Sequence, residues 1–196
     1  MVNKNILLLS ILLISLGNYA FGQKDAPVLP IDKSTKKITY SEVVYVADSA
    51  DKYELFTRAK EWFSRAYKPS TSIIQMEDKE GGAIVGKALM QVYHKALGTH
   101  ESGYINYTIS IYFKDGRYRF EITDFHHTGQ YVQAGRIQDF GPCERMINST
   151  EKIMGISAKK TFNYYLYQMD NEIKSRINDL KLSMKISSKK NKSSEW

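Results

Sequence analysis

Asp115-Gly116 is the feature that most constrains how this chain can fold. An Asp-Gly pair between two runs of β-branched and aromatic residues signals a two-residue hairpin, whose turn needs positive φ. With these two residues in the turn, Phe113 faces Tyr118, Ile111 faces Phe120 and Ile109 faces Ile122, each an apolar pair on one side. On the other side Tyr112 meets Arg119, Ser110 meets Glu121 and Thr108 meets Thr123. A slip of one residue would set apolar side chains against polar ones, so turn chemistry and patterning fix the same register.

The rest of the chain is read around that hairpin. Residues 38–46 (ITYSEVVYV) have strand composition, and the acids at Asp48 and Asp51 supply helix N-cap chemistry. Leu55, Phe56, Ala59, Trp62, Phe63 and Ala66 recur at spacings of three and four, which predicts a helix over 51–67 that stops at Lys68-Pro69. Four strands follow, at 72–77, 83–94, 104–114 and 117–125, with Gly86 marking a bulge or a close approach. Residues 126–160 are less regular, with a short helix expected at 144–154. Phe162, Leu166, Met169, Ile173, Ile177, Leu180 and Met184 form one stripe, predicting a second long helix over 160–184. An antiparallel meander needs one face covered, and two striped helices can cover it. The expected fold class is therefore α+β: a two-layer sandwich ordered strand, helix, four antiparallel strands, helix.

Residues 1–22 have a different character. Lys4, an apolar run of roughly 11 residues and Ala20-Phe21-Gly22 make the three parts of a cleavable export signal; a spanning helix needs about 20 apolar residues. Without a cysteine at the cleavage point, no lipid attachment is expected. The reading is an exported protein, periplasmic or extracellular, with no transmembrane segment after cleavage. Residues 23–37 read as a linker, 38–184 as the domain and 185–196 as a basic flexible tail. The formal net charge is +7, of which the last twelve residues carry +3, so the body is only mildly basic. Cys143 is the only cysteine, which excludes an intramolecular disulfide.

Two phrases are more specific than any pattern. Tyr53-Glu54-Leu55-Phe56-Thr57-Arg58-Ala59-Lys60-Glu61-Trp62-Phe63 is followed by Ile74-Gln75-Met76-Glu77-Asp78-Lys79-Glu80-Gly81-Gly82-Ala83-Ile84-Val85-Gly86-Lys87. Together, over residues 29–125, they resemble a domain-of-unknown-function family with a TBP-like fold, seen in exported proteins of Bacteroidetes bacteria. The resemblance implies a TBP-like strand and helix order. It implies no activity and no catalytic residues.

The chemistry-bearing residues form no catalytic constellation, so no catalytic residue, metal ligand or cofactor is assigned. His126 and His127, adjacent on a strand, point to opposite faces; two of the four histidines can still meet across a sheet edge. Cys143 at a helix start would have a thiolate favoured by the dipole. The polar hairpin face carries Tyr104, Tyr112, Arg117, Arg119 and Glu121, an aromatic and arginine set suited to binding. The expected function is a non-catalytic envelope module that binds a protein or glycan partner through that face. The alternative is an enzyme with a site between the sheet and the 128–155 loop, using His126, His127, Cys143 and Glu144. Nucleic acid is disfavoured by export and by the lack of a dense basic stripe.

Overall fold

The computed structural model describes residues 26–186 apart from 48–49, 68–72, 97, 130, 133–135, 138 and 150–155. The export signal, the Asp48-Ser49 part of the first helix cap, the Lys68-Pro69 stop and the basic tail from 187 lie outside the described residues.

The chain forms β1 (Tyr40–Tyr45), α1 (Lys52–Ala66), β2 (Ile74–Asp78), β3 (Ala83–Ala96), β4 (Gly98–Lys114), β5 (Arg117–Thr128) and three two-residue strands. These are β6 (Tyr131–Val132), β7 (Arg136–Ile137) and β8 (Gly141–Pro142); α2 (Glu144–Asn148) and α3 (Ile156–Met184) follow. The main sheet has the order β1-β5-β4-β3-β2 with every pair antiparallel, and β8 adds to β5. β1 and β2 therefore run the same way at opposite edges. The chain between them must cross a face of the sheet, and α1 is that crossing.

All six expected hairpin pairs, from Phe113 with Tyr118 to Thr108 with Thr123, are present. Gly116 takes φ 71°, with open space around its α-carbon. The ladder then shifts between Asn106 and Thr108. Asp124, at φ 58°, is the additional residue, and Asp tolerates that left-handed conformation better than most side chains. The bulge changes parity. Before it Tyr118, Phe120 and Ile122 are buried; after it Phe125 and His127 are. β3, β4 and β5 all extend further than the sequence predicts, β5 to Thr128. β3 and β4 continue pairing to Ala96 and Gly98, so the β3–β4 hairpin is far longer than residues 83–94 and 104–114.

The two helices lie on the face that holds Ile84, Ile105, Ile109, Ile111, Phe113 and Phe120. Asp51 caps α1 by accepting the Glu54 N–H at 2.7 Å. Phe56 meets Phe113 edge to face at 5.7 Å between centroids. Gly86 is a close approach: a Cβ there would lie 3.0 Å from the Phe63 ring. The β2 ladder also shifts opposite it, between Ile74 and Met76.

α3 starts four residues earlier than the stripe predicts, and α2 ends at Asn148 rather than 154. Phe162, Leu166, Met169, Ile173, Leu180 and Met184 are buried as expected, with Ile177 partly so. Tyr165 joins them, whereas Tyr164 and Tyr167 stay half-buried. Both sheet edges hold α3. Tyr40 donates to buried Asp170 at 2.8 Å and Lys181 to Glu42 at 2.6 Å. The Gln168 amide bonds both the N–H and the C=O of Tyr93, as a neighbouring strand would. Ahead of β1, Ile31 bridges Ile38 around a turn in which Asp32 accepts from Ser34 and Thr35, so part of the segment read as a linker is folded.

Candidate functional site

Covering one face leaves the other open. Along β4 the odd-numbered side chains enter the core, so Tyr112, Ser110, Thr108, Asn106 and Tyr104 lie on the open side. Register extends that face to Arg117, Arg119 and Glu121 on β5, to Ser41, Val43 and Tyr45 on β1, and to Val85, Lys87 and Leu89 on β3. Half of the large apolar side chains that are exposed among the described residues belong to it: Val43, Tyr45, Met76, Leu89 and Tyr112. Tyr45 is 72% exposed. An exposed apolar set rimmed by polar groups marks an interaction surface.

Two arginine–tyrosine stacks organise the end of this face near the turn. The Arg119 guanidinium lies 4.8 Å from the Tyr112 ring centroid. Arg117 lies 5.8 Å from the Tyr45 ring and reaches its hydroxyl at 3.4 Å. Val43 pairs with Arg119 directly in register. With Lys114, Gly81 and Gly82 these residues line an open depression of about 590 Å³. Among the described residues neither arginine has a carboxylate partner within ion-pair distance.

Of the five residues proposed from sequence, Tyr112, Arg117, Arg119 and Glu121 are therefore together. Tyr104 shares the face but sits eight positions along β4, about 27 Å away, opposite Thr128 and Gln91. Val43, Tyr45 and Lys114 were not proposed. Their signal is the alternation of 38–46, which puts Ser41, Val43 and Tyr45 on one side once the partner of β1 is known.

The residues of the alternative catalytic reading are neighbours where β8 pairs with His126 and His127 of β5, but their side chains are individually buried or engaged. Cys143 is fully buried and burial pushes its thiol up to about 12, which leaves no thiolate at neutral pH. Glu144 accepts the Ile38 N–H at 2.8 Å. His126 faces solvent, 3.4 Å from Asp139, while His127 points inward, as adjacent strand residues must. Among the described residues no three His, Cys, Asp or Glu side chains cluster to hold a metal ion, and no helix is long and apolar enough to cross a membrane. His94 and His100 do meet across the β3–β4 pair, with rings 5.4 Å apart.

His127 is a pH-sensitive element of the fold. Its ring stacks on Tyr165 at 5.4 Å and packs against Phe140 at 4.8 Å. Neither ring nitrogen makes a sound hydrogen bond, although the Ser102 backbone lies close. Burial holds its pKa below the usual 6.5, aided by His126 and opposed by Asp139. The unfolded chain therefore takes up this proton first. The contribution is constant above about pH 6.5 and is lost as pH falls below it, by up to about 1.4 kcal/mol per unit. His127→Phe, which keeps the stack, is expected to flatten that part of the acid limb. Urea unfolding of both proteins between pH 8 and 5 checks this; parallel curves would contradict it.

Comparisons with known proteins follow the architecture. Residues 40–128, which run from β1 to β5, match the family model described as Domain of unknown function (DUF4468) with TBP-like fold. A TBP-like protein from Parabacteroides distasonis superposes with a TM-score of 0.57 at 17% identity, over 78% of this chain and 97% of that one. A DUF4468 family protein from Bacteroides ovatus gives 0.55 at 16% identity, over 81% and 91%. At these identities the likeness is one of fold. It agrees with the α+β order expected from the sequence. No curated protein matches the chain.

Proposed function

We propose, on the premise that residues 40–128 form a DUF4468 domain of TBP-like fold, that the protein is a non-catalytic, exported envelope module that binds an acidic protein partner. The observation carrying this reading is the bare end of the open sheet face. There two arginines that have no carboxylate partner among the described residues are stacked on exposed tyrosines beside Val43. Tyr and Arg dominate the energetic centres of protein interfaces, because they combine apolar area with directed hydrogen bonds. Stacking holds each guanidinium in place before a partner arrives, which lowers the ordering cost of binding. The positive charge of Arg117, Arg119 and Lys114 selects for carboxylates and speeds encounter.

The test is site-specific photo-crosslinking in the native bacterium. A photoreactive amino acid replaces Val43 in one strain and Asn171, an exposed residue of α3, in another. A discrete protein adduct from position 43 alone is expected. Arg117→Glu with Arg119→Glu should reduce it by about tenfold or more, the effect of losing an interface centre. Adducts from both positions alike, adducts to glycan alone, or an adduct that survives the double charge reversal would refute the reading.

A further inference from the structure

We propose that a second cavity, on the helix side of the sheet, binds an uncharged ring compound. It lies between the first turns of α3 and the end of the β3–β4 hairpin remote from Asp115-Gly116. Among the described residues it shares no lining residue with the depression on the open face. Its volume is about 270 Å³, and Phe140, Phe162 and Tyr165 form its aromatic walls with His94 and Ser102 opposite. Phe140 meets Phe162 edge to face at 4.8 Å, and His127 backs Tyr165 in a stack, so the walls are held in place.

The polar groups reaching this cavity are few. The Ser102 and Tyr165 hydroxyls are hydrogen-bonded to each other. The His94 ring also lines the cavity, and its Nδ1 is shielded from water and without a hydrogen-bond partner. Apolar aromatic walls with a few convergent polar groups are the usual anatomy of a small-molecule site.

Charge narrows the class. Among the described residues no acid, lysine or arginine lines this cavity. A charged ligand would lose hydration there without gaining an ion pair. The space takes one substituted ring, and the aromatic walls favour a flat one. The ligand is thus a single neutral ring with a hydroxyl or amide edge, supplied by a sugar or by a heterocycle.

Histidine ring NMR of the mature chain tests the proposal. The probes are N-acetylglucosamine and nicotinamide, each paired with an anionic counterpart, N-acetylneuraminate and nicotinate. At least one neutral probe is expected to shift the His94 signal saturably at millimolar concentration, with its anionic counterpart weaker by about tenfold or more. Ala158→Phe, which fills the cavity from α3, should abolish the shift, whereas Tyr112→Ala on the open face should leave it unchanged. Ser102→Ala keeps the walls and should weaken binding, so the test survives if the phenylalanine does not fold. The proposal is overturned if neither neutral probe moves His94 or if the anions bind equally well. It is also overturned if a folded Ala158→Phe protein, or Ser102→Ala, binds as the parent does.

Discussion

Replacing Arg58 with methionine is expected to destabilise the protein by roughly 3 kcal/mol, because it removes one partner of a buried charged pair. Arg58 is 2% exposed, on the buried side of α1. Its Nε donates to Glu54 at 3.0 Å and its Nη1 donates to the backbone oxygen of Met184 at 2.7 Å. Met184 is the last residue of α3, where carbonyls lack helical partners and the dipole favours a cation. The arrangement is reciprocal. Arg176 on α3 donates to the oxygen of Ala66, the last residue of α1, at 2.8 Å and stacks on Tyr67. Each helix thus closes the C-terminal end of the other.

Methionine keeps the apolar stem of Arg58 but removes the donors to Glu54 and to the Met184 carbonyl. Arg176 is only half-buried, so Arg176→Met should cost nearer 1 kcal/mol. Urea unfolding followed by circular dichroism gives both values. Equal losses for the two variants, or a loss below about 1 kcal/mol for Arg58→Met, would show that the clamp does not hold the helix layer.

Arg58 also shows where sequence reading reaches its limit. Its i,i+4 spacing from Glu54 places the pair on the wet side of an amphipathic helix, yet α3 packs over that side and buries it. No local pattern reports which helix face meets a second helix. The hairpin was legible because its information is local: two turn residues and six cross-strand pairs agree. Legibility ends at Asp124, since a bulge carried by an aspartate at positive φ leaves no glycine to announce it. The far end of the β3–β4 hairpin is not legible because residues 98–103 are all polar or glycine and carry no apolar alternation.

The candidate site was half legible for the same reason. Tyr112, Arg119 and Glu121 were assigned to one face by alternation across a known turn. Val43 and Tyr45 escaped because the pairing of β1 with β5 spans the whole domain, and nothing within 38–46 names its partner. Tyr104 was placed on the correct face, but alternation specifies side and not distance along a strand. The stripe of α3 was readable from periodicity alone; the cavity at its first turns was not, since it depends on Phe140 arriving from a loop.

Trp62→Ala carries the other large expected loss, about 3–5 kcal/mol, the usual range for emptying a buried aromatic site. Trp62 is 1% exposed and packs edge to face on Phe63 at 4.9 Å and on Tyr67 at 5.6 Å. Its indole N–H donates to Asp179 of α3 at 2.8 Å. One side chain therefore joins α1 to α3 while filling the layer above the sheet. Alanine removes the volume and the bond together, and for a domain of this size the melting temperature should drop by roughly 10 °C. Trp62→Phe restores most of the volume without the donor, so its cost should be nearer 1–2 kcal/mol. Asp179→Ala removes only the acceptor, and adding it to Trp62→Phe should cost little more, since the bond is already gone. Thermal and urea unfolding of the four proteins separates packing from hydrogen bonding. A Trp62→Ala protein as stable as the parent would mean that the helices do not roof this face of the sheet. The assignment of Tyr45, Tyr112, Arg117 and Arg119 to a bare binding surface would then fail too, because it is the roof on one side that leaves the other side free.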